Sequence, residues 1–172
     1  ERRSWKGELI ALSGNTDCYQ PLESSYGLTR QCLEVMARYC NPVGVITKGS
    51  LIRRDVEVLQ TLAARGAATV YMSVCFADAR QARLMEPGTP PPQQRFETMR
   101  ILADAGVRVG IALAPVIPGL NDEQIPALLS MAADAGATRA FMTPLRLPGA
   151  AREVFEERLL QVLPERYERV IH

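Results

Sequence analysis

No apolar run in this sequence approaches the roughly 18 residues that a membrane-spanning helix needs, and Glu1 to Lys6 lack the pattern of a secretory signal. A cytoplasmic, reducing setting without a membrane partner is the expectation. Cysteine is sparse and scattered: Cys18, Cys32, Cys40 and Cys75 contain no C-x-x-C or other tight spacing. As a set they resemble neither a zinc site nor a disulfide framework, and most are expected to be free, buried thiols. Neither sign of charge is in excess, since 20 basic side chains face 19 acidic ones for a net charge of +1. That balance predicts no strong electrostatic pull toward nucleic acid or an anionic surface. The one histidine, His172, lies at the chain end and carries no catalytic expectation. No G-x-G-x-x-G or G-x-x-x-x-G-K-[ST] follows any strand-like segment, which argues against a dinucleotide-binding or P-loop fold.

What is present reads as a single domain spanning residues 1–172, with 47% hydrophobic and 23% charged residues. Short apolar or β-branched runs alternate with stretches of 3.6-residue periodicity, the pattern of βα units and a parallel sheet. The strands are expected at Leu9–Ser13, Val43–Thr47, Thr69–Cys75, Val107–Ala114 and Arg139–Thr143. The helices are expected at Tyr26–Tyr39, Asp55–Ala64, Pro92–Ala105, Asp122–Ala135 and Arg152–Leu163. Gly66, Gly106 and Gly136 stand where a helix must stop before the next strand. Asn121 with Gln124 suggests a capping box, and Thr89 with Pro90–Pro92 a stiff helix start. Five units are too few for an eight-stranded barrel, so the expected fold is a parallel α/β partial barrel, with a further unit outside this chain.

Ligands of parallel α/β proteins bind at the carboxyl ends of the strands. Those positions here are polar: Thr16, Asp17, Tyr19, Gln20 and Glu23 after the first strand, then Lys48, Ser73, Ala114 with Pro115, and Thr143. A carboxylate, an ammonium and a hydroxyl converging on one rim suit a zwitterionic, amino-acid-like ligand. Asp, Ser and Thr are also favoured there as helix caps and turn formers. Lys48 has no such capping role, because a cation is disfavoured at a helix N-terminus. The pairs Arg53–Arg54, Arg80–Arg83 and Arg166–Arg169 are expected to be solvated faces. Two other classes remain open on these residues: a cluster-independent barrel enzyme using Asp17 and Lys48 in acid–base or Schiff-base chemistry, and a nucleic-acid-binding module.

The landmarks Thr16-Asp17-Cys18-Tyr19-Gln20-Pro21-Leu22-Glu23, Ile46-Thr47-Lys48, Ser73, Glu86-Pro87-Gly88-Thr89 with Arg95, and Ala114-Pro115 carry a family likeness. With them the chain resembles the spore photoproduct lyase-like branch of the radical S-adenosylmethionine (radical SAM) superfamily. The resemblance implies a barrel of about six βα units. It also implies a 4Fe-4S cluster held by a C-x-x-x-C-x-x-C motif in a first unit that this chain does not contain, so no metal ligand is assigned here. It further implies reductive cleavage of S-adenosylmethionine to a 5′-deoxyadenosyl radical, with electrons from a donor such as flavodoxin or ferredoxin, and a nucleic-acid substrate in the named branch. Carried onto this sequence, Thr16 and Asp17 would hold the methionine ammonium and Lys48 and Ser73 the carboxylate. Arg95 would join the same rim, and Ala114 would let the adenosyl group approach the fourth strand. The hydrogen-donor cysteine of spore photoproduct lyase falls at Gly14, which speaks against the same repair route; Cys18 is the candidate substitute thiol. The fragment alone is expected to be inactive.

Overall fold

The computed structural model describes residues 5–172. Five parallel strands form one sheet in sequential order, β1 (Ile10–Leu12), β2 (Val43–Thr47), β3 (Ala68–Ser73), β4 (Arg108–Val116) and β5 (Arg139–Pro144). Between β1 and β2 lie α1 (Glu23–Tyr26) and α2 (Leu28–Tyr39), and between β2 and β3 a 3-10 turn (Ser50–Asp55) runs into α3 (Val56–Ala63). Helices α4 (Ala79–Met85) and α5 (Pro92–Asp104) connect β3 to β4, and a second 3-10 turn (Asp122–Gln124) with α6 (Ile125–Asp134) connects β4 to β5. After β5 come α7 (Ala150–Val162) and α8 (Tyr167–Ile171). This is the α/β partial barrel that the periodicity predicts, with β1 and β5 as its two edges.

Side chains alternate along each strand, so one set faces the helices and the other the concave side. Val43 and Val45, Val70 and Met72, and Val109, Ile111 and Leu113 are buried against Leu33, Leu59, Leu62, Met99, Leu102 and Leu128 of the helical layer. Each such side chain contributes roughly 1.5–3 kcal/mol of apolar burial. The concave set is smaller or more polar. A Cβ on Gly110 would lie 2.6 Å from the Tyr71 ring, which packs edge-on against Phe141 with ring centroids 5.0 Å apart. Gly66, Gly106 and Gly136 all adopt positive φ at the helix-to-strand turns, as their placement predicts.

Several local expectations are overturned. The helix expected from Tyr26 is two helices, because Gly27 at φ +61° caps α1 and opens α2. Helix α4 was not expected at all, although Asp78 accepts a hydrogen bond from the Gln81 amide (2.7 Å), so Asp78-x-x-Gln81 carries the capping-box signal. Asn121 and Gln124 do not make such a box. Buried Asn121 instead donates to the carbonyls of Cys75 (2.9 Å) and Pro115 (3.0 Å) and accepts from the Ile117 amide (2.6 Å), pinning the end of β3 to the end of β4. All four cysteines are free, but only Cys75 is buried; Cys18 is half-buried, and Cys32 and Cys40 lie exposed on α2 and at its C-cap. Nor are Arg53 and Arg54 solvated faces. Arg53 bonds Thr98 Oγ1 and the Gln94 carbonyl, and Arg54 belongs to a buried ion cluster.

Candidate functional site

The loop after β1 reaches the end of β2 through Asp17. Its Oδ1 accepts from Thr47 Oγ1 (2.7 Å) and the Tyr19 amide (2.9 Å), and its Oδ2 accepts from the Lys48 amide (2.7 Å). A carboxylate has about four acceptor positions, so Asp17 is fixed in place with one position left for a further donor. The loop itself is held from behind. The Cys18 amide donates to Ser13 Oγ (2.9 Å), Thr29 Oγ1 donates to the Cys18 carbonyl (2.7 Å), and a Cβ on Gly49 would meet Tyr19 at 2.8 Å. Only glycine at position 49 permits that approach.

Beneath the loop lies a buried ion cluster. Asp55, with no exposed surface, accepts from Arg54 Nε (2.9 Å) and Nη2 (3.1 Å), Arg30 Nη1 (3.1 Å) and the Tyr19 hydroxyl (3.0 Å). Arg54 also reaches Glu23 Oε1 (2.7 Å), whose carboxylate accepts from the Thr29 and Arg30 amides. Burial pushes both carboxyls up, yet the hydrogen bonds from the arginines and neighbouring donors outweigh it and hold Asp55 and Glu23 below their ordinary range. Burial together with the Asp55 charge pushes the Tyr19 phenol up, so it stays a donor.

Asp17 and Lys48 both line a cleft of about 480 Å³, together with Tyr19, Gln20, Gly49 and Thr89. β2 ends at Thr47, paired with Met72, so Lys48 and Ser73 occupy neighbouring positions at the strand ends. The Lys48 side chain is 30% exposed, and its only ionic contact among the described residues is Glu86 Oε1 at 3.6 Å. Ser73 is buried and donates to the Ala114 carbonyl (3.3 Å), which also accepts from the Cys75 thiol (2.9 Å). Burial raises that thiol to about 11. Arg95 lies beneath the rim. At 1% exposure it bonds the Ser73 carbonyl (2.9 Å), the Pro90 carbonyl (2.7 Å) and Thr89 Oγ1 (2.6 Å) and pairs with Glu86 Oε2 (2.9 Å).

Thr16 is exposed on the first loop, outside the cleft lining. Cys18 packs against the hydrophobic core, and burial is the largest influence raising its thiol. Ala114 is half-buried in β4. The structure thus brings Asp17 and Lys48 to one cleft, sets Ser73 and Ala114 beside it at the ends of β3 and β4, and adds Glu86, which sequence reasoning had quoted as a landmark without giving it a role. No group of three His, Cys, Asp or Glu side chains suited to a metal ion occurs among the described residues. The four cysteines form no such group, so an iron–sulfur cluster does not fit this chain's own residues. An acceptor carboxylate, Asp17, and a donor ammonium, Lys48, at one cleft do fit the amine and carboxylate of S-adenosylmethionine. Among the described residues no helix is long and apolar enough to cross a membrane.

A larger groove of about 740 Å³ lies at the β1 edge, lined by Trp5, Ile10, Leu28, Cys32, Val35 and Tyr39 among others and, among the described residues, by no charged side chain. Its chemistry is that of a packing surface, not of a site for a charged ligand.

Residues 3–132 match the family model of the radical SAM superfamily. An uncharacterised protein of Mycobacterium tuberculosis is 36% identical over 166 residues, covering 95% of this chain and 49% of that protein. An uncharacterised protein of Acidianus two-tailed virus is 27% identical over 166 residues, covering 91% of this chain and 52% of that protein. The chain therefore spans about half the length of the curated relatives it matches. Among solved structures, a variant of spore photoproduct lyase with bound AdoMet and dinucleoside spore photoproduct superposes with a TM-score of 0.67 at 17% identity, over 90% of this chain and 46% of that one. Spore photoproduct lyase complexed with the dinucleoside photoproduct gives 0.66 at 16% identity, with the same coverage. At such identity the likeness is one of fold. With the family model covering most of its length, the chain belongs to the radical SAM superfamily.

Proposed function

We propose that this chain is the S-adenosylmethionine-binding part of a radical SAM enzyme. The observation that carries the reading is the pairing at the cleft: Asp17, with one acceptor position open, and Lys48 line the same space. Asp17 takes the ligand's ammonium, with the exposed Thr16 beside it on the loop. Lys48 takes the carboxylate, with Ser73 at the adjoining strand end. The small side chain of Ala114 leaves room for the adenosyl group along β4, and Arg95 holds the rim from beneath. When bound and reduced by one electron, S-adenosylmethionine supplies a 5′-deoxyadenosyl radical.

The cluster that delivers the electron belongs to a preceding βα unit of the longer protein, and the β1 edge supports such a neighbour. In a sequentially ordered parallel sheet, an upstream strand adds beside β1 and its helix beside α2. α2 presents Leu28, Cys32, Val35 and Tyr39 at helical spacing on its outer side, all exposed. On this reading residues 1–172 are one domain-sized portion of a partial barrel, inactive without that unit. The substrate is an organic molecule that yields hydrogen to the radical. A nucleic acid enters only by analogy with spore photoproduct lyase, and Gly14 offers no thiol on the route used there.

The test is binding of S-adenosylmethionine to full-length protein reconstituted anaerobically with iron and sulfide, with release of 5′-deoxyadenosine on reduction. Asp17→Ala and Lys48→Ala each weaken binding if the site is right. Unchanged binding in both removes the assignment.

A further inference from the structure

We infer that Glu86 is the positioning residue of Lys48, fixing its ammonium toward the cleft while Arg95 neutralises the Glu86 charge from behind. The inference rests on the proposed role of Lys48 and goes beyond it, since Glu86 lies outside the cleft lining and has no part in the site as assigned above. The geometry is a chain of three charges. Arg95, at 1% exposure, is committed to the backbone carbonyls of Ser73 and Pro90 and cannot turn toward a ligand. Its Nη2 lies 2.9 Å from Glu86 Oε2 but directs its hydrogen bond to Thr89 Oγ1 (2.6 Å). Oε2 is therefore a buried carboxylate oxygen without a hydrogen-bond partner among the described residues. Oε1 faces Lys48 Nζ at 3.6 Å.

A buried polar atom left without a donor is uncommon and calls for a physical reason. Here Oε2 is compensated by the Arg95 guanidinium at 2.9 Å without a hydrogen bond, which leaves Oε1 as the oxygen that faces Lys48. Its ammonium rides on a flexible stem and loses rotamer freedom when held in one place. The Glu86 carboxylate, just outside the cleft lining, fixes it before the ligand arrives. A carboxylate alone would also compete with the ligand's own carboxylate for Lys48. Arg95 removes that competition, because Arg95, Glu86 and Lys48 together carry one net positive charge toward the cleft. Their spacing in the sequence, at positions 48, 86 and 95, gives no local motif, and only the meeting of β2, the turn after α4 and α5 brings them together.

The experiment compares two ligands on the full-length protein by equilibrium binding: S-adenosylmethionine and its decarboxylated form, which lacks the group that Lys48 receives. Glu86→Gln weakens S-adenosylmethionine binding by about three- to tenfold and leaves the decarboxylated ligand unaffected. In a Lys48→Ala background the same substitution has no further effect on either ligand. Glu86→Asp keeps the charge for Arg95 but withdraws it from Lys48 by one methylene, and gives a smaller loss in the same direction should the glutamine variant fold poorly. Equal loss for both ligands, equal loss in the Lys48→Ala background, tighter binding, or no change in either Glu86 variant overturns the inference. If Lys48→Ala itself fails to distinguish the two ligands, the site reading fails instead, and the two failures are separable.

Discussion

Two buried charge clusters sit a few residues from the same cleft, and they differ in how completely they are satisfied. Asp55 receives four hydrogen bonds on its two oxygens, from Arg30, Arg54 and Tyr19. Glu86 receives no hydrogen bond on Oε2, which only pairs ionically with Arg95 at 2.9 Å, and a long ionic contact from Lys48 on Oε1. A saturated carboxylate has nothing left to offer a ligand and serves to hold the loop that carries Asp17. An unsaturated one beside a cleft residue retains capacity to act on that neighbour. Saturation, not burial or charge, separates the scaffold from the site.

Breaking the saturated cluster has the largest expected effect. Asp55→Ala leaves the buried Tyr19 hydroxyl without its acceptor and removes the carboxylate that joins Arg30 and Arg54, which keep Glu57 and Glu23, and lowers stability by roughly 3 kcal/mol, measurable by urea denaturation. The loss extends to both ligands of the binding experiment alike, in contrast to Glu86→Gln.

Gly49→Ala comes next. Its Cβ would press on Tyr19 at 2.8 Å, so the cost is about 1–3 kcal/mol. Because Tyr19 and Asp17 share one turn, S-adenosylmethionine binding weakens with it. Wild-type stability together with wild-type binding in this variant would show that the close approach does not hold the loop.

Acid sharpens the same contrast more gently. Asp55 and Glu23 are held below their ordinary values, so the unfolded chain binds more protons than the folded one in that range. Their stabilisation is fully present above about pH 4, the unfolded carboxylate range, and is lost as pH falls through the lower folded values. Denaturation midpoints measured down this range should decline more steeply for wild type than for Asp55→Asn.

The smallest effect concerns the apolar edge. In a longer polypeptide that includes the upstream unit, Cys32 should become slower to alkylate than in the 172-residue chain, while Cys40, exposed at the C-cap of α2, keeps its rate. Equal rates for Cys32 in both would remove the proposed packing of a βα unit against α2.

How much of this was legible in the sequence follows from which signals are local. The strands of β2 and β5 and the turns at Gly66, Gly106 and Gly136 were readable because alternation and positive-φ positions are written in neighbouring residues. Asp17 and Lys48 could be placed at strand ends for the same reason. The capping box of α4 was equally local, in Asp78 and Gln81, and was overlooked behind the arginines that follow it. The roles of Asn121, Arg53, Arg54 and Arg95 were not legible, because each makes at least one bond to a residue more than 20 positions away. Glu86 was visible as part of Glu86-Pro87-Gly88-Thr89, but its unsatisfied oxygen exists only once α5 brings Arg95 beneath it.

The most direct measurement is the affinity of reconstituted full-length protein for S-adenosylmethionine, compared among wild type, Asp17→Ala and Lys48→Ala under anaerobic conditions. The account predicts a clear loss in each variant, with fold retained by circular dichroism. Wild-type affinity in both correctly folded variants would contradict it.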